Sequence, residues 1–251
     1  MNDQNYITTR EDKLLQRCKS WDDFVDQAST LKTTKEKGDL FERLTQLYLQ
    51  TRHDYSSKLK NVWLLKEVPD RVHKKLNLPF SDEGIDLIAE THDGQFWSIQ
   101  CKYKTDERDN LTRRQLVTFT DLSFNHCKNI EFGLVVHTSD KPVRKRQLLG
   151  NIAEVGLENW LTLTSDDWRA VRYRLSGKTA KPKKRMPRPH QKEALSAAIN
   201  HFEVKGQKRG RLIMPCGSGK SLISFFVAEA LKAKTIIVAV PSLNLIKQSL
   251  D

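Results

Sequence analysis

Apolar and polar positions alternate in two runs on either side of a glycine turn in GIDLIAETHDGQFWSIQCKYK, residues 84 to 104. Ile85, Leu87 and Ala89 alternate with Asp86 and Glu90, while Trp97, Ile99, Cys101 and Tyr103 alternate with Gln100, Lys102 and Lys104. A period of two predicts a β-hairpin with one apolar face. If both strands are to turn that face toward one core, the paired residue numbers must sum to an even value. A three-residue turn at Asp93, Gly94 and Gln95 meets this condition, with Leu87 opposite Cys101 and Asp86 opposite Lys102; a two-residue Asp-Gly turn does not. Hydrophobic matching alone therefore places Asp86, Gln100 and Lys102 on the same face.

Other periods fill in an α/β layer fold. Residues 35 to 50, KEKGDLFERLTQLYLQ, carry Leu40, Phe41, Leu44, Leu47 and Tyr48 on one helical stripe. Glu42 lies nearly opposite the centre of that stripe. NVWLLKEV (61–68) reads as a strand, TRRQLVTFTDLSF (112–124) as a helix, and EFGLVVHTS (131–139) as a strand buried on both faces. PVRKRQLLGNIAEVG (142–156) is expected to form helix and turn, and WLTLT (160–164) a short strand. SDDWRAVRYRL (165–175) reads as a helix opened by a Ser165 cap. Residues 1 to 33 look helical around Leu14, Leu15, Trp21, Phe24 and Val25, with no role assigned.

Composition narrows the classes. At about 150 residues per domain, the 251 residues allow one full domain and part of another. The four cysteines, Cys18, Cys101, Cys127 and Cys216, have neither zinc-site nor disulfide-framework spacing. No apolar run approaches a membrane span and the polar start does not resemble a signal peptide, so a cytoplasmic setting is expected. The net charge of +12 favours a polyanionic partner. Its clearest run, SGKTAKPKKRMPRP (176–189), has the composition of a solvated interdomain linker. Lys183, Lys184 and Arg185 within it, Arg113 and Arg114, and Arg144, Lys145 and Arg146 are candidate phosphate contacts.

An acid, an amide and a lysine on one face suit metal-assisted phosphodiester cleavage; a merely solvated outer face is the plainer alternative. A second signature is RLIMPCGSGKSLISFFVAEAL (211–231), read as apolar strand, glycine turn and helix. Gly217, Ser218, Gly219, Lys220 and Ser221 match the end of a Walker A loop, although Met214 stands where the strict pattern has its first glycine. In such a loop backbone amides cradle phosphates, Lys220 reaches the outer phosphates of ATP and Ser221 binds magnesium.

These residues resemble known families. Gly38, Phe41 and Glu42, then Gly84, Ile85 and Asp86, then Gln100, Cys101 and Lys102 resemble the Mrr-like branch of the PD-(D/E)XK nucleases over about the first two thirds of the chain. Gln100 departs from the usual acid, a variant found in that branch. The resemblance implies a restriction-endonuclease-like core in which Asp86 and Glu42 hold Mg2+, helped by the Gln100 side chain and the Cys101 carbonyl. Lys102 then stands against the attacking hydroxide or the phosphate in flight. The Walker-like loop resembles superfamily 2 helicases, a likeness extended by RPHQKEAL (188–195), with Gln191 as the adenine contact, and by VPSLNLIKQ (240–248), similar to the DNA-contacting motif Ia.

The domain order resembles the front end of Type ISP and Type I restriction enzymes. It implies a Mrr-like nuclease domain at 1–175, a basic linker at 176–188 and a partial, RecA-like P-loop domain at 189–251. Double-stranded DNA is the implied partner. The remainder of the polypeptide is expected to hold the Walker B acid needed for ATP hydrolysis, with methyltransferase and target-recognition regions beyond it. Two rivals stand beside this reading: a degenerate module that only holds DNA, and a repair or junction-processing nuclease-helicase.

Overall fold

A computed structural model describes residues 9–79, 84–141, 143, 151–177, 187, 189–214, 220–237 and 239. The chain divides into two units, Met1–Ala180 and Lys181–Asp251.

The first unit is built on a five-stranded sheet in the order β1 (Leu59–Leu64), β2 (Leu87–Thr91), β3 (Phe96–Lys102), β4 (Ile130–His137) and β5 (Ile152–Val155). β2 runs antiparallel to both β1 and β3, whereas β4 runs parallel to both β3 and β5. Helices cover both faces. On one side α1 (Arg10–Leu15), α2 (Trp21–Ser29), α3 (Thr34–Thr51), α7 (Leu157–Leu161) and α8 (Ser165–Leu175) share a core with Leu87, Ile99, Cys101, Leu134 and Val136. Inside it Trp160 packs against Trp21, Phe41 and Tyr48, with ring centroids 5.7, 5.3 and 4.7 Å apart. The single-turn α4 (His53–Ser56) follows α3. On the other side α5 (Asp70–Leu76) and α6 (Arg113–Asp121) bury Val72, Leu76, Leu116 and Phe119 against Ile88, Phe96 and Val135. β4 feeds both cores, as an unbroken apolar run should.

α3 begins in a capping box. Thr33 accepts from the Glu36 N–H at 3.1 Å and the Glu36 carboxylate accepts from the Thr33 N–H at 3.0 Å, which satisfies donors that every helix start leaves open.

Tertiary pairing overrides the sequence expectation in several places. The hairpin keeps the expected parity but sits two residues away in register, with Leu87 opposite Ile99 rather than Cys101. The three-residue turn is His92–Asp93–Gly94, closed by the Thr91 N–H bonding the Gln95 carbonyl at 2.9 Å. Gly94 has φ +80, so glycine takes the last, left-handed position that such a turn requires. Residues 152–155 form β5, not helix and turn, because they pair along β4 from Gly133 to Val136; residues 142 and 144–150 of that segment lie outside the described residues. Trp160 and Leu161 close α7 instead of opening a strand, since Leu157 and Trp160 are buried at helical spacing. α8 is capped by Thr164, whose hydroxyl accepts from the Asp167 N–H at 3.3 Å; Ser165 is the first helical residue. The helix expected at 112–124 continues from α6 into a π turn at Leu122–His126.

The second unit contains α9 (Pro189–Ile199), a π turn at Asn200–Val204, and α10 (Lys220–Ala230). Residues 211–214, expected as a strand, form none among the described residues, and Ile213 stands 79% exposed. An apolar run becomes a strand only when a neighbour supplies the ladder.

Candidate active site

The site grows from the end of the sheet where β2 begins and β3 ends. Asp86 directly precedes β2, and its main chain is tied on both sides. Its N–H bonds the Ile99 carbonyl and its carbonyl accepts from the Leu65 N–H, both at 2.9 Å. Its carboxylate is buried, and Oδ2 accepts from the Cys101 N–H at 2.5 Å. That bond sets the rotation of the carboxylate. Lys102 Nζ lies 4.0 Å from the same Oδ2 with its side chain 27% exposed, so the ammonium reaches the acid from the solvent side.

The regular register stops at Leu87. The Asp86 N–H bonds the carbonyl of Ile99, the residue that Leu87 already faces, so a bulge breaks the alternation at Asp86. The expected pairing of Asp86 with Lys102 is not formed, and Ile85 packs in the core opposite that of Leu87. Gln100 is 2% exposed and its Oε1 has no hydrogen-bond partner among the described residues. Leaving a buried amide oxygen unmatched costs about 1–3 kcal/mol, and an oxygen that an arriving cation would satisfy is one account of that cost. Glu42 reaches the same place from α3: it is half-buried and lines, with Asp86, a cavity of about 530 Å³. Lys35, Asp39, Lys66, His73 and Lys74 also line it. Burial, then the Asp86 charge, then the Glu42 charge push the Cys101 thiol well above its ordinary range. The thiol stays neutral and packs in the core, while the Cys101 backbone belongs to the site.

Gly84 shapes the approach to Asp86. Its φ of +124 lies outside the range side chains tolerate, and an added Cβ would stand 3.5 Å from both Gln100 Nε2 and Thr118 Cγ2. Those distances are ordinary contacts, so the penalty of a side chain is backbone strain of about 1–3 kcal/mol. Gly84→Ala is expected to lower the melting temperature by several degrees, at about 2–4 °C per kcal/mol for a domain of this size. A melt equal to that of the parent chain would show that the loop relaxes freely.

Arg113 and Arg114 open α6 and are exposed. Gln191 is buried on α9 within the second unit. Lys220 and Ser221 begin α10, but the positions of their side chains, along with Gly217, Ser218 and Gly219, lie outside the described residues. So do Lys183, Lys184, Arg185, Arg144, Lys145, Arg146 and the stretch 240–248. Among the described residues no group of three or more histidine, cysteine or acidic side chains is poised to hold a metal. The carboxylates of Asp86 and Glu42 on the shared cavity and the unmatched Gln100 oxygen are hard-oxygen donors of the kind magnesium prefers.

Sequence patterns missed the lining contributed by Lys66, His73 and Lys74, because DRVHKKL buries only Val72 and Leu76. Lys35, Asp39 and Glu42, spaced four and three residues apart, do lie on one side of α3, but such a polar stripe does not by itself distinguish a cavity wall from a solvated face.

Comparison with known proteins agrees with this architecture. Residues 50–156 match the restriction endonuclease family, of the Mrr catalytic type, and residues 184–251 match the family of the Type III restriction enzyme res subunit. Glu42 lies outside the first match, so its place rests on the shared cavity. No curated protein matches the chain significantly. Among solved structures, an ATP-dependent Type ISP restriction-modification enzyme, LlaBIII, bound to DNA, is similar at a TM-score of 0.56 and 26% identity. The similarity covers 92% of this chain and 14% of that one, so the present chain spans only a small part of its relative's length. A restriction endonuclease domain and, after it, a helicase-like segment of the res-subunit family are thus joined in this one chain.

Proposed function

We propose that this chain is a magnesium-dependent DNA endonuclease coupled to an ATP-driven DNA translocase, in an enzyme of the restriction-modification kind. One observation carries the reading: Asp86 stands 4.0 Å from Lys102 on a cavity shared with Glu42, and the amide oxygen of Gln100, two residues before Lys102 on β3, is buried without a partner among the described residues. The nuclease part is taken to be residues 1–175, the linker 176–188 and the motor part 189–251.

Asp86, Glu42, the Gln100 side chain and the Cys101 carbonyl would hold the magnesium ion. Bound there, the cation supplies Lewis-acid polarisation of the phosphate and a more acidic water. Asp86, with its carboxylate rotation set by the Cys101 N–H, contributes a fixed negative charge. Lys102 would bring a compensating positive charge to the negative charge that the phosphate gains as hydroxide attacks it. Gln100 contributes an oxygen without charge, which lowers metal affinity relative to a third carboxylate. Arg113 and Arg114, with Lys183, Lys184 and Arg185, are proposed to contact the phosphates of duplex DNA. In the motor part Gly217, Ser218, Gly219, Lys220 and Ser221 are proposed to hold the phosphates of ATP, and Gln191 its adenine. The much greater length of LlaBIII supports further motor, methyltransferase and recognition regions in the same polypeptide.

The test is strand breakage in supercoiled plasmid DNA. Incubation with the chain in magnesium is expected to give nicked or linear product, and EDTA to prevent it. Gln100 in place of an acid gives one specific ground for a second reading, a module that only holds DNA. DNA retained on the chain in magnesium with every strand intact would establish that reading instead.

A further inference from the structure

Glu42 rides on a helix and Asp86 on the edge of a strand, so a cation shared by them needs the two elements held in fixed relation. A line of buried and half-buried side chains provides this, and it starts in the N-terminal helix that the sequence left without a role. Asp12 on α1 is buried and accepts from Arg43 Nε at 2.7 Å. Arg43, adjacent to Glu42 on α3, also donates through Nη1 to Gln46 Oε1 at 2.5 Å. With its oxygen so engaged, the Gln46 amide turns Nε2 toward two acceptors, the Val62 carbonyl at 3.0 Å and Glu67 Oε2 at 2.8 Å. The Leu64 N–H also points at Glu67 Oε2, at 3.4 Å. The next N–H, that of Leu65, bonds the Asp86 carbonyl at 2.9 Å. The end of β1 is therefore the common reference for both acids: Gln46 fixes α3 to it, and Leu65 fixes Asp86 to it.

We propose that Asp12, Arg43, Gln46 and Glu67 are positioning residues that set the Glu42–Asp86 spacing, making α1 a working part of the nuclease. The inference rests on the nuclease reading above. Each polar group in the line has a partner of opposite charge or complementary hydrogen bonding, so the line is rigid only when complete. Partners one step removed from metal ligands act in this way generally, by orienting the groups that do the binding.

Manganese binding to the full 251-residue chain, followed by the electron paramagnetic resonance of the free ion, tests the proposal without relying on cleavage. Arg43→Met is expected to weaken manganese binding by about tenfold or more. The control is Arg52→Met, which removes a guanidinium paired to Asp54 and Asp167 beyond the other end of α3. It is expected to lower the melting temperature while leaving manganese binding within about twofold of the parent, as a distant, independent site should. Should Arg43→Met fail to fold, Asp12→Asn keeps the shape and an acceptor oxygen, and a smaller loss of binding in the same direction is expected. Parent-like binding in whichever of these two variants folds overturns the positioning role and leaves the nuclease reading standing. A parent chain that neither binds manganese nor cuts DNA overturns both.

Discussion

Asp86→Asn is expected to leave the chain folded and to abolish magnesium-dependent cleavage of plasmid DNA. Asparagine is the informative replacement. Its amide oxygen can still accept the Cys101 N–H that now bonds Oδ2 at 2.5 Å, whereas alanine would strand a buried donor at a cost of about 1–3 kcal/mol. Losing one charged oxygen ligand forfeits several kcal/mol of charge stabilisation, and each ~1.4 kcal/mol is about a factor of ten in rate. A drop of three orders of magnitude or more is therefore expected, with a melting temperature close to the parent's. Cleavage within about tenfold of the parent would remove Asp86 from the site, since so small a change corresponds to only ~1.4 kcal/mol.

Lys102→Met should produce the second largest loss, and of a different kind. A unit charge about 4 Å from developing charge is worth about 4 kcal/mol at an effective dielectric near 20. That corresponds to a loss of several hundred-fold or more in the cleavage rate. Metal binding should be kept or strengthened, because the ammonium 4.0 Å from Asp86 Oδ2 opposes a cation at the same carboxylate. Single-turnover cleavage at saturating magnesium, set beside manganese binding, separates the two effects. A rate that recovers fully with more magnesium would show that Lys102 serves binding alone.

Much of this arrangement could be read in the chain, and the misses have physical reasons. Strand parity, which depends only on which residues are apolar, was legible from Leu87 to Glu90, and both registers considered have even parity; at Asp86 a bulge breaks the alternation and puts Ile85 in the opposite core, which periodicity does not reveal. The register itself was not legible, because it follows from the left-handed conformation of Gly94. Glu42 could not be placed by periodicity. α3 is covered by the sheet and by α1, α2 and α8, so its polar stripe faces a cavity between elements rather than bulk water. α5 is too short for a periodic signal, with two buried residues one turn apart. β5 exists because β4 offers it a ladder, information that lies elsewhere in the sequence.

The turn at His92–Gly94 is solvent-facing, yet its length decides which core the apolar side chains of β2 share with those of β3. Inserting or deleting a single residue there would turn Leu87 and Ala89 away from the core that holds Ile99 and Cys101 unless a bulge took up the change. Natural variation in this loop should accordingly proceed by even-numbered insertions and deletions, a constraint on loop length imposed by pleat geometry alone.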